Sequence, residues 1–214
     1  MTAPLRMRRV VWGLLVLVLG STIALGAWRH LREPGAREEL PVYGNVPTFA
    51  LVERSGDPIR SEDMRGQVWV ANFIFTRCAG TCPVLGTALA ALLRRLGDRD
   101  LDSVRAVSFS VDPTHDDPAA LRRYAERFGA DARRWLFVTG DAAAMARLIR
   151  DGFKLGTGTP PSGESEALQE PITHSDRFVL VDTELRIRGY YHGTEAEGVA
   201  ALERDLLRLV GRQP

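Results

Sequence analysis

The chain holds two cysteines, both in the run Thr76-Arg77-Cys78-Ala79-Gly80-Thr81-Cys82-Pro83. A thiolate is a strong nucleophile and also a soft metal ligand. Cys-x-x-Cys beside a strand–helix unit is the usual redox spacing; the wider Cys-x-x-x-Cys can open both sulfurs toward one ion. The plainer readings are two small buried hydrophobes or one structural disulfide. So short a loop gains little from closure, because little unfolded-chain entropy is removed. A structural zinc site asks for four ligands, and the chain has no second cysteine pair. Redox chemistry and binding of a soft cation are therefore the chemistries to weigh.

A metal reading needs a further ligand, and the chain has four histidines. His30 stands at the edge of an apolar run. His115, in Asp112-Pro113-Thr114-His115-Asp116-Asp117, and His192, after Tyr190-Tyr191, sit where solvated turns and strand ends are expected. His174, in Ile172-Thr173-His174-Ser175, comes just before an expected core strand. It follows Gly156 to Pro171, which is rich in Gly, Pro, Ser and Glu and lacks apolar periodicity. Long irregular segments in compact domains are either functional or surface insertions.

The elements that must carry these residues can be read from apolar patterning. Val68 to Phe75 is nearly continuous in apolar side chains, as a strand covered on both faces requires. Pro83 opens a helical stripe of Leu85, Leu89, Leu92 and Leu96 that stops at Gly97. The cysteines thus fall beyond the carboxyl end of a central strand, where open α/β sheets form their sites. The helix N-terminus there predicts a depressed pKa for Cys82, and to a lesser degree for Cys78.

Val104 to Val111 predicts a second strand. Asp117-Pro118 predicts a helix start with Leu121, Tyr124 and Phe128 inward and Gly129 at the end. Trp135 to Val138 predicts a third strand, and Asp141 caps a helix bearing Met145, Leu148 and Ile149. Phe178 to Val181 and Leu185 to Tyr191 read as a hairpin around Asp182-Thr183. Thr194 and Glu197 read as a capping box before a last helix striped by Val199, Leu202, Leu206 and Leu209. Phe49 to Val52 and Ile59, around Ser55-Gly56-Asp57, predict an N-terminal hairpin. Together these give an α/β mixed sheet with helices on both faces.

Val10 to Trp28 carries no charge. At ~1.5 Å per residue, such a helix nearly spans a ~30 Å hydrocarbon core. Arg6, Arg8 and Arg9 before it predict a cytoplasmic tail over residues 1–9, a transmembrane anchor over 10–28 and an exported body. A cleaved signal peptide, with Ala24-Leu25-Gly26 as the processing site, exports the body equally well. Residues 29–44 are polar and punctuated by Pro34 and Pro41, as a tether would be, leaving 45–214 as the folded domain.

The chain of 214 residues is 45% hydrophobic and 26% charged, which excludes disordered, collagen-like and polytopic membrane classes. Residues 1–29 hold four of the 28 basic residues and no acid. The remainder is slightly acidic, which argues against a nucleic-acid footprint.

Phe73-Ile74-Phe75-Thr76-Arg77-Cys78 through Cys82-Pro83, then Ser110-Val111-Asp112-Pro113, then His174-Ser175 leading into Phe178 to Asp182, resemble the Sco/SenC family in order and over about residues 45–211. Ala79 and Thr173 stand where that family often has Pro and Asp. The resemblance implies a thioredoxin-like, membrane-tethered chaperone that serves cytochrome c oxidase assembly. By matching position, Cys78, Cys82 and His174 would bind one copper, as Cu(I) or Cu(II), with Asp112 as an outer group or a partner-docking group. The implied partners are cytochrome c oxidase subunit II, a thiol reductant protein and another copper chaperone. The alternatives are a thiol–disulfide oxidoreductase, with Cys78 attacking and Cys82 resolving, and a redox or copper sensor.

Overall fold

The computed structural model describes residues 12, 14–22, 39–99, 101–155 and 176–211. Residues 14–22 are helical with exposed side chains. Among the described residues no helix is long and apolar enough to cross a membrane. Residues 10, 11, 13 and 23–28 of the expected anchor, the segment 156–171 and His174 lie outside the described residues. Met1–Glu39 and Leu40–Pro214 form two separate compact units, and the second carries the sheet.

Eight strands make one mixed sheet: β1 (Gly44–Asn45), β2 (Ala50–Glu53), β3 (Pro58–Arg60), β4 (Trp69–Ile74), β5 (Arg105–Ser110), β6 (Trp135–Thr139), β7 (Arg177–Val181) and β8 (Arg186–His192). Their spatial order is β1-β8-β7-β4-β5-β6-β2-β3. β4, β5 and β6 run parallel, and every other pairing is antiparallel. The intervening helices are α1 (Thr81–Gly97), α2 (Pro118–Glu126), α3 (Ala142–Arg147) and α4 (Ala196–Val210).

Strand alternation splits the core in two. Val70, Ile74, Ala106, Phe178 and Leu180 turn toward α1, α2 and α4, where they meet Leu85, Leu89, Leu92, Leu121 and Leu206. Trp69, Ala71, Phe73, Val107 and Phe109 turn the other way, against Met145 of α3, Leu148 and the N-terminal hairpin residues Leu51 and Ile59. All six side chains of β4 are buried, as a strand covered on both faces demands.

Local sequence signals account for the starts of α2 and α3 and the end of α2. The Asp117 carboxylate accepts from the Ala120 amide at 2.6 Å, and Asp141 accepts from Ala144 at 2.8 Å. Gly129, with φ of 60°, turns the chain after α2 where a Cβ would be strained.

Three readings need correction. The box predicted from Thr194 and Glu197 does not form: Glu195 is the N-cap of α4 and makes no side-chain cap, while the Thr194 hydroxyl reaches the Asp176 carboxylate at 3.5 Å. Leu185 is not in a strand; it takes φ of 65° in the β7–β8 turn. The helix after Asp141 passes into a π turn over Leu148–Gly152, where a simple continuation of the stripe was expected.

Candidate metal centre

Parallel pairing of β4 with β5 places the carboxyl ends of both strands at one edge of the sheet. The loop carrying the cysteines leaves from β4, and the loop carrying Asp112, His115 and Asp116 leaves from β5. The first is tied to the second. Asp116, fully buried, accepts from the Thr76 amide at 3.2 Å, from the Thr76 hydroxyl at 2.6 Å and from the Ser110 hydroxyl at 2.6 Å. The Cys78 amide then donates to the Phe75 carbonyl at 3.1 Å, closing a tight turn. Gly80 is the N-cap of α1, so Cys82 lies inside the first helical turn.

The cysteines are free, and they are 7% and 3% exposed. The Cys82 amide donates to the Cys78 sulfur at 3.4 Å. Burial pushes the Cys78 thiol up, but donors from the Cys82 side chain and from the amides of Cys82, Gly80 and Thr81 outweigh it, and the net direction is down. Cys82 goes the other way. Burial, and the proton it holds toward Cys78, push it up to about 12. The expected depression of Cys82 is therefore reversed. A helix N-terminus is worth about 0.3–1 kcal/mol, under one pKa unit, whereas desolvation of a buried group can move a pKa by roughly 3–5 units. Cys78 is thus the more acidic thiol of the pair, and Cys82 the one that keeps its proton longer.

Asp112 lies on the adjoining loop after β5. Its carboxylate meets Arg77 Nη2 at 2.6 Å through one oxygen and His115 Nδ1 at 2.9 Å through the other. Partial burial opposes ionisation, yet the bonds from His115 and Arg77 hold Asp112 below its ordinary value. Its backbone carbonyl also accepts from the amides of His115 and Asp116, so the residue both builds the turn and orients Arg77 beside Cys78. Arg77 and Asp116 were given no role by the sequence reading. Their signal was only that hydroxyl-bearing Thr76 and Ser110 end adjacent strands. His192, expected at the surface, pairs with Asp176 at 2.7 Å.

β7 is antiparallel to β4, with Ala71 opposite Val179, so its N-terminal end opens onto the same edge. Leu155 and Arg177 line one cavity of about 360 Å³ together with Tyr43, Lys154 and Tyr190. The chain therefore leaves the described fold and re-enters it at one place. A second cavity, of about 420 Å³ near Pro47 and Leu148, draws no lining residue from the cysteine loop.

The profile described as SCO1/SenC matches residues 40–210. The chain belongs to the SCO1/SenC family. It is 30% identical over 156 residues to the SCO1 homologue of Bacillus subtilis, covering 72% of this chain and 77% of that one. BsSco, from the Sco family of cytochrome c oxidase assembly proteins and bearing a disulfide switch, superposes with a TM-score of 0.68 at 25% identity, covering 81% and 98%. ScoI of Bradyrhizobium japonicum with copper bound shares the fold, with a TM-score of 0.61 at 22% identity over 77% and 99%. The thioredoxin-like mixed sheet expected from the family resemblance is the fold observed.

Two free, buried sulfurs, one of them an amide-bonded thiol of lowered pKa, are a donor set that suits a soft cation. The set fits copper better than a hard ion. The same arrangement suits attack on a disulfide by Cys78.

Proposed function

We propose that this SCO1/SenC chain is a metallochaperone that takes copper as its cargo through Cys78, Cys82 and His174, one ion per chain, and passes it to the binuclear copper site of cytochrome c oxidase subunit II. The observation that carries the reading is the free Cys78–Cys82 pair at the sheet edge onto which β7 opens. His174 precedes Arg177 by three residues, a reach of at most about 11 Å. Thiolate sulfur selects Cu(I), and imidazole accepts either oxidation state. Asp112 and the exposed Arg77 would form a docking face beside the thiols. The apolar run over residues 10–28 would hold the domain on the exported side of a membrane, with the segment 156–171 meeting the partner. In that oxidising compartment a thiol reductant protein must keep the pair reduced, and another copper chaperone would load it.

The test is an anaerobic titration of the reduced full chain with Cu(I) and with Cu(II). One equivalent should bind, and His174→Ala and Cys78→Ser should each weaken retention more than tenfold. Copper should then move to an apo subunit II fragment. Unchanged retention in the His174 variant sinks the reading.

A second reading is favoured by the division of labour between the thiols. A Cys78 thiol held below the ordinary value and a Cys82 thiol held above it are what an attacking and a resolving cysteine require. A thiol–disulfide reductase acting on the same recipient would not need His174. Loss of copper retention with dithiol exchange kept within a few-fold in His174→Ala separates the two.

A further inference from the structure

Tyr124 of α2 is 1% exposed, and its hydroxyl has no hydrogen-bond partner among the described residues. Buried unpartnered hydroxyls are few in native proteins. The position of this one is fixed by two ring contacts and one glycine. Its ring packs edge-on against Phe128 at 5.2 Å and against Phe137 of β6 at 6.2 Å. Phe128 in turn lies over Gly86 of α1 so closely that a Cβ there would overlap the ring.

α1 and α2 run in the same direction, because each links consecutive parallel strands of one sheet. One turn back from Gly86 along α1 stands Cys82, and one turn back from Phe128 stands Tyr124. Tyr124 and Cys82 belong to one buried cluster, against which Phe128 packs. In agreement, burial raises the phenol's pKa, and Cys82, then Cys78, are the neighbours whose ionisation raises it further.

We propose that Tyr124 is a positioning residue of the dithiol, whose hydroxyl donates a hydrogen bond to the Cys82 sulfur whenever that sulfur is a thiolate bound to a soft cation. As a thiol, Cys82 turns its proton to Cys78 and is a weak acceptor, and the hydroxyl stays unpaired. As a thiolate it is a strong acceptor, and the waiting donor fixes its orientation and lowers its electron-donor energy. The copper half of this inference rests on the function proposed above; the thiolate half does not.

The test compares the full chain with Tyr124→Phe and Tyr124→Leu, each titrated with Cd(II), which any accessible thiol pair takes, and separately with Cu(I). In Tyr124→Phe, Cd(II) affinity should fall roughly three- to thirtyfold. The sulfur-to-cadmium charge-transfer band should move to lower energy, and the metal-free melting temperature should be unchanged or higher. The Leu variant should show the same band shift although it also loses the ring. An unchanged band and affinity in Tyr124→Phe overturns the proposal, as does a change confined to Tyr124→Leu. A wild-type chain that binds Cd(II) but no Cu(I) defeats the copper reading and leaves this inference to the cadmium data; binding of neither ion defeats both.

Discussion

The amide of Cys82 donates to the sulfur of Cys78 across 3.4 Å, so the first turn of α1 is itself a donor to the more exposed thiol of the pair. Backbone geometry and burial thus set unequal roles on two chemically identical side chains. One thiol is made more acidic than usual, and the other, slightly deeper, is made less so.

This inequality predicts the order of modification. Alkylation by iodoacetamide should strike Cys78 first, with a pH midpoint below that of an ordinary thiol, because its folded pKa is lowered. Cys82→Ala removes a side-chain donor, so the midpoint should rise and the rate at neutral pH should fall several-fold. Mass mapping of labelled peptides across a pH series gives both values; first labelling at Cys82 would contradict the geometry.

Cys82 also predicts a loss of stability at high pH. Its folded value of about 12 lies above the ordinary 9.0. Between those values the unfolded chain has released a proton that the folded chain still holds, so unfolding is favoured as pH rises. The contribution is fully present below pH ~9 and drains away toward 12. Denaturant midpoints measured from pH 7 to 10.5 should fall in the wild type and fall less steeply in Cys82→Ala. Equal slopes would show that burial does not perturb this thiol.

Asp116 should be the costliest polar substitution at the site. Asp116→Ala strands the Thr76 amide, the Thr76 hydroxyl and the Ser110 hydroxyl in the interior. A loss of about 2–4 kcal/mol is expected from these charge-assisted bonds. Urea unfolding reads the total, and amide exchange at Thr76 reads the loop. A cost below ~0.5 kcal/mol would mean the cysteine loop is held by other contacts.

Gly86→Ala places a methyl group against the Phe128 ring, an overpacking cost of about 1–3 kcal/mol. Shrinking the neighbour should recover part of it, so Gly86→Ala with Phe128→Leu should be more stable than the sum of the single changes implies. Additive losses measured by thermal unfolding would disprove the close packing of Phe128 on α1.

Local sequence signals were sufficient where short-range physics dominates. The leucine stripe of α1, the apolar run of β4 and the caps Asp117 and Asp141 each act within one turn or one strand. Where a local pattern met a long-range competitor it failed. The Thr194 hydroxyl satisfies Asp176, 18 residues away in the chain, and so makes no capping box. The helix dipole at Cys82 is outweighed by the core that surrounds it. Tyr124 reads from its spacing as an inward residue, and only the assembled core sets it in one cluster with the cysteines.

What the sequence determined by itself is the chemistry on offer: two thiols at one loop, a histidine ahead of a strand, and the alternation that builds the sheet. Residue type and periodicity are properties of the chain alone. The tertiary structure decided which thiol keeps its proton, which carboxylate ties the loop and which neighbours can act on the pair. Desolvation and hydrogen-bond partnership are set by residues distant in sequence, and they exist only once the sheet edge has assembled.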